Sequence, residues 1–176
     1  MDVQDLALPG VKLLKTKVFV DERGFFRETF RKPLYSERGI TCDFVQDNHS
    51  YSSQGTLRGM HFQRRPGQAK LVSVMLGTIY DVVVDIRRDS PTFKQWIGVH
   101  LDATRGEQLF IPVGYAHGFC VLSPEAHLCY KVSTIYDPAE EKSFRFDDPE
   151  VNIQWPIATP TISDRDRQAP LFHEVV

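Results

Sequence analysis

Apolar side chains recur along this chain in short runs, and glycine, proline and aspartate separate them. Runs rich in Val, Ile, Phe and Tyr between such breaks read as β-strands. The clearest pair is Lys70–Leu76 and Ile79–Ile86, joined at Gly77-Thr78. A glycine there supplies the positive φ that a tight hairpin turn demands. The same pattern predicts strands over Val11–Val20, Gly24–Phe30, Cys42–Ser50, Leu57–Gln63, Trp96–Leu101, Gln108–Ile111, Gly118–Leu122, His127–Val132 and Phe144–Phe146. Only Pro33–Arg38 and Asp164–Gln168 have helical character, and both are short. Many short strands with no long linker, repeat or low-complexity tract point to an all-β barrel or double-sheet sandwich. Such a barrel can hold a small ligand among polar side chains that point inward. The stretch Trp155–Val176, richer in proline and charge, is expected to cover the active site rather than to form a second domain, so residues 1–176 are expected to be one domain.

Composition narrows the function classes. A chain of 176 residues is long enough to bury a stable core without a disulfide or metal staple. A net charge of -2 argues against a nucleic-acid partner, which would require a basic surface. No apolar stretch approaches the ~20 residues of a membrane helix, and the opening Met1–Asp5 is not followed by a secretory h-region. Cys42, Cys120 and Cys129 form no CxxC pair. They read as reduced thiols of a cytoplasmic protein.

Two segments carry candidate chemistry. In Arg58-Gly59-Met60-His61-Phe62-Gln63 a histidine follows an arginine within a strand. Strict alternation would put those two side chains on opposite faces, and a bulge at Gly59 would reconcile them. In Ile111–Phe119 a Pro-x-Gly-x-x-His turn enters a strand and delivers His117. That turn is similar to a short motif of the cupin superfamily. Metal-binding cupins also carry a His-x-His pair and a nearby glutamate, whereas here the chain reads His61-Phe62-Gln63. Two histidines are too few for a metal site, so no metal and no cofactor are expected. A histidine base near neutrality would need an orienting carboxylate and an electrophile for the developing negative charge. Asp164 or Asp166, Lys70 and Tyr130 are the candidates, although spacing alone does not assemble them.

The assembly comes from a resemblance. Asp21–Phe26, Phe44–Ser50, Leu57–Gln63, Asp89–Phe93, Ile111–Phe119 and Ser163–Pro170, in that order over Val11 to Leu171, resemble the dTDP-4-dehydrorhamnose 3,5-epimerase family. The resemblance implies a homodimeric cupin-like jelly roll that acts on a dTDP-linked 4-keto-6-deoxy sugar without a metal. Carried over position by position, His61 is the general base and Asp166 its orienting partner. Lys70 lies beside the C4 oxygen, and Tyr130 is the proton donor on the opposite face. Gln46, Asn48, Arg58 and His117 line the sugar and phosphate site, and Arg23 meets the diphosphate. Phe26 and Glu28 reach into the partner subunit's site, and Tyr136 binds the substrate. Where many members carry two tyrosines before a proline, this chain reads Ile135-Tyr136-Asp137-Pro138.

The expected reaction is inversion at C3 and C5 of dTDP-4-dehydro-6-deoxy-D-glucose, giving dTDP-4-dehydro-L-rhamnose for surface polysaccharides such as O-antigen. The alternatives are inversion of one carbon only, another nucleotide-linked 4-keto sugar, a metal-dependent cupin oxygenase, or a sugar-binding cupin without catalysis.

Overall fold

The computed structural model describes residues 1–176. The strands are β1 (Asp2–Asp5), β2 (Lys12–Lys15), β3 (Val18–Asp21), β4 (Gly24–Arg27), β5 (Gln46–Ser53), β6 (Leu57–Gln63), β7 (Lys70–Leu76), β8 (Thr78–Asp85), β9 (Trp96–Asp102), β10 (Glu107–Ile111), β11 (Tyr115–Val121), β12 (Glu125–Val132) and β13 (Glu141–Ser143). Three short helices accompany them: α1 (Lys32–Ser36), α2 (Asp164–Arg167) and α3 (Phe172–Val175). One sheet has the order β1-β2-β10-β7-β12-β5 and faces a second of order β13-β6-β11-β8-β9. This is a jelly roll, as the all-β pattern implied.

The expected hairpin at Gly77 is not one. β7 pairs with β10 and β12, whereas β8 pairs with β9 and β11, so the chain steps from one sheet to the other at Gly77. Gly77 has φ +83°, and a Cβ there would come within 2.1 Å of the Glu125 carbonyl oxygen. The glycine was a correct sign of a turn, but two adjacent strands of apolar period fit a sheet crossing as well as a hairpin. The predicted strand Val11–Val20 is likewise two strands, with β2 in the large sheet and β3 paired only with β4. The strand placed at Phe144–Phe146 lies slightly earlier, because Glu141–Ser143 is the segment that pairs with β6.

Alternation sorts the side chains between the space inside the two sheets and their outer faces. Inside, Val72, Val74, Ile79, Val83, Leu101, Leu109, Val121, Ala126 and Leu128 form a fully buried core. Burying each of the larger side chains contributes roughly 1.5–3 kcal/mol. The same inward-facing rows of β7 and β12 continue into Lys70 and Tyr130, which line a cavity. Outside the smaller sheet, Phe144, Val151, Ile153 and Phe172 pack over Met60, Phe62, Val82 and Val84. The C-terminal stretch therefore covers an apolar sheet face, and its residues Thr161–Asp166 reach the cavity.

The Arg58–His61 conflict is resolved by a bulge. Opposite β6, β11 pairs His117 with His61 and Phe119 with Arg58, so two steps on β11 span three on β6. Gly59 has φ +127°, and a Cβ there would lie 2.6 Å from the Gly118 Cα. Backbone meets backbone at this point, so any side chain at Gly59 would force β6 and β11 apart. The glycine pair is what turns both Arg58 and His61 into the cavity.

Candidate active site

The cavity holds about 510 Å³ and is lined by side chains from both sheets and from the tail. The smaller sheet contributes Arg58, His61 and His117, and the larger sheet Ser50, Lys70 and Tyr130. Lys70 and Tyr130 are diagonal neighbours, since Val132 pairs with Lys70 and Tyr130 with Val72. His61 and His117 are direct cross-strand partners. Two opposed walls thus carry different chemistry, imidazoles on one side and an ammonium and a phenol on the other.

His61 Nε2 lies 2.7 Å from Asp166 Oδ1, which leaves Nδ1 as the ring nitrogen without a protein partner. The tail positions Asp166. Thr161 bridges Thr56 beside the start of β6, and Ser163 caps α2 by accepting from the Asp166 N–H at 3.1 Å. Asp166 is buried while Asp164 is exposed, so of the two tail aspartates only Asp166 meets His61. Burial raises the Asp166 carboxyl pKa. Hydrogen bonds from His61, the Gly59 amide and Ser163 outweigh that effect and hold it below the ordinary aspartate value.

Burial pulls Lys70 down to about 8, against the opposing pull of Asp81 and Glu141. Tyr130 is pushed up by burial first and by the charge of Glu141 second, with Arg58 opposing. Its hydroxyl therefore stays protonated at neutral pH. His117 is held below the usual histidine range by burial, although Asp81 favours its charged form. Arg58 is tied by Nε to Ser52 Oγ at 3.0 Å and by Nη2 to the Tyr51 carbonyl at 3.1 Å.

The remaining expected site residues fall into two groups. Gln46 and Asn48 stand on the same face of β5 as the cavity-lining Ser50, and Gln46 Nε2 donates to Asn48 Oδ1 at 2.8 Å. Tyr136 sits at the rim with its hydroxyl 3.0 Å from Glu141 Oε2. Arg23, Phe26 and Glu28 do not line this chain's cavity. Arg23 pairs with Asp21 at 2.6 Å and Glu28 with Arg31 at 3.1 Å, and Phe26 is 70% exposed on the β3–β4 hairpin beside Phe19, Val20 and Phe25. Gln63, where metal-binding cupins carry a second histidine, instead clamps the next turn through Thr134, Ile135 and Asp137. No group of three or more His, Cys, Asp or Glu side chains converges as a metal ligand set.

Sequence reasoning missed Glu141, Arg165 and Asp81. Glu141 and Arg165 line the cavity and pair at 2.6 Å. They come from segments far apart in the chain, and no spacing signals their meeting. Asp81 did leave a signal, being a lone carboxylate on the inward row between Ile79 and Val83.

Residues 5–174 match the family model described as dTDP-4-dehydrorhamnose 3,5-epimerase. The chain belongs to this family. A dTDP-4-dehydrorhamnose 3,5-epimerase of Shigella flexneri is 48% identical over 174 residues, covering 98% of this chain and 96% of that protein. A crystal structure of an epimerase from Legionella pneumophila, in complex with dTDP-4-keto-L-rhamnose, superposes with a TM-score of 0.96 at 44% identity, covering 99% of this chain and 94% of that one. A dTDP-4-dehydrorhamnose 3-epimerase from Streptomyces niveus is 40% identical, covering 99% of this chain and 85% of that protein. The family thus includes relatives named for inversion at two carbons and at one.

Proposed function

We propose that this protein inverts C3 and C5 of dTDP-4-dehydro-6-deoxy-D-glucose, yielding dTDP-4-dehydro-L-rhamnose, by proton transfer alone. The observation that carries the reading is the division of chemistry between the two walls of one cavity. A proton beside a ketone becomes acidic only when the enolate oxygen is stabilised, which is the task of Lys70 as an ammonium. His61, oriented by Asp166, removes the proton from one ring face. Tyr130 returns one to the other face, and that exchange of faces is inversion. Both carbons adjoin the same ketone, so one base, one acid and one lysine serve both steps. Arg58, His117, Gln46 and Asn48 hold the sugar and its phosphates, and Tyr136 binds the substrate from the rim.

The protein is further proposed to act as a cytoplasmic homodimer in deoxysugar supply for surface polysaccharides. Arg23, Phe26 and Glu28 would then complete the partner's cavity. The exposed apolar hairpin β3–β4 supports this, since Phe19, Val20, Phe25 and Phe26 are each more than half exposed. An active monomer by light scattering at assay concentration would contradict it.

The reaction is tested by incubating dTDP-4-dehydro-6-deoxy-D-glucose with the protein in heavy water. Solvent deuterium at both C3 and C5, read by NMR, is the expected result. Label at C3 alone would assign the single-carbon chemistry for which the Streptomyces niveus relative is named. Label only with another nucleotide's sugar would place the difference at Ile135, which is 63% exposed near Tyr136.

A further inference from the structure

We propose that Asp81 is a positioning residue, a counter-ion that keeps Lys70 charged without forming an ion pair with it and so leaves the ammonium's N–H groups free for the substrate's ketone oxygen. The proposal rests on the role given to Lys70 above.

Asp81 is wholly buried, on the inward row of β8. His117 Nε2 lies 2.9 Å from its Oδ1 and 3.0 Å from its Oδ2. The N–H is aligned with Oδ2, and Oδ1 has no hydrogen bond. A buried carboxylate oxygen without a donor is costly and calls for an explanation. Across the cavity Lys70 is 8% exposed and forms no ion pair within the chain. One sheet thus buries a carboxylate served by one donor, and the facing sheet an unpaired ammonium.

The charged and titratable groups around Lys70 come from every element that builds the cavity: Arg58 and His61 of β6, Asp81 of β8, His117 of β11, Tyr130 of β12, Glu141 of β13, and Arg165 and Asp166 of α2. Two of the three carboxylates are already engaged. Asp166 accepts from His61 and Gly59, and Glu141 from Arg165 and Tyr136. Asp81 alone combines full burial with a single N–H donor for both of its oxygens. It is also the foremost of the charges that oppose the effect of burial on Lys70.

Separation is the useful feature. A contact ion pair would occupy N–H groups that the enolate oxygen needs. Attraction falls only as the inverse of distance, so a carboxylate a little further off in a low-dielectric cavity still favours the charged amine.

The test is the pH titration of Lys70 in protein labelled at lysine 13Cε, with the spectrum of Lys70→Arg giving the assignment. Asp81→Asn keeps an acceptor for His117 and removes the charge. The Lys70 midpoint should fall by about one pH unit or more, and the alkaline limb of the pH–rate profile should move down with it. An unchanged midpoint in the folded variant overturns the proposal. Should Asp81→Asn fail to fold, Asp81→Ser removes the charge with a smaller polar side chain, and the midpoint should again fall; an unchanged midpoint overturns the proposal. Wild-type turnover by Lys70→Ala would instead overturn the role of Lys70 itself, and with it the basis of the proposal.

Discussion

Two histidine–aspartate pairs stand side by side in this cavity, and they differ in almost everything but composition. His61 and His117 are cross-strand partners, and each holds a carboxylate within 3.0 Å. The aspartate of the first comes from the tail, 105 residues away, whereas that of the second comes from the adjacent strand β8. The His61 side chain keeps 27% of its exposure and the His117 side chain only 9%. Burial drives His117 toward its neutral form. A proton shuttle needs a free ring nitrogen and access to substrate, which the shallower pair has. The deeper pair is built to hold the sugar and the sheet in place rather than to carry protons. Location within the barrel, more than residue type, therefore separates the proton carrier from the fixed partner.

The sharpest way to break this contrast is to delete each imidazole. His61→Ala is expected to lower kcat by ~10²–10⁴-fold, the usual worth of a general base, with little change in Tm. His117→Ala also leaves Asp81 buried without its only hydrogen-bond donor, and it should cost about 3 kcal/mol of stability. Chemical denaturation and steady-state kinetics on both variants check the split. Equal stability losses would abolish the distinction drawn between the two pairs.

A smaller effect concerns the partner of His61. Asp166→Asn should reduce kcat by about 10²-fold, because the amide no longer favours the correct tautomer or the imidazolium. Asp164→Asn, at an exposed position, should stay within about twofold, as surface changes usually do. The reverse ranking in kcat would reassign the pair. Since the Asp166 pKa is depressed in the fold, its favourable contribution is present above the ordinary aspartate value. It is lost as pH falls through the lower folded value, so titration of the Asp166 carboxyl should not limit activity near neutrality.

The all-β class, the strands Leu57–Gln63 and Lys70–Leu76, and the bulge at Gly59 were legible in the sequence because period and glycine placement express them locally. The step between sheets at Gly77 was not, since a turn signal does not say which strand becomes the neighbour. The position of Asp166 against His61 depended on a long-range contact that only the family resemblance anticipated. Glu141 and Arg165 stayed hidden for the same reason, as side chains brought together by a tail that crosses the cavity mouth.

Base and acid act from opposite walls of the cavity, and the variant that separates them is Tyr130→Phe, assayed in heavy water. His61 remains in that variant, so deuterium should still enter at C3 from the base's side. Without the phenol's proton on the other face, most labelled sugar should keep its original configuration. Retained exchange with lost inversion is the predicted result. Full inversion at the wild-type rate by Tyr130→Phe would contradict the account, because the second face would then have another donor.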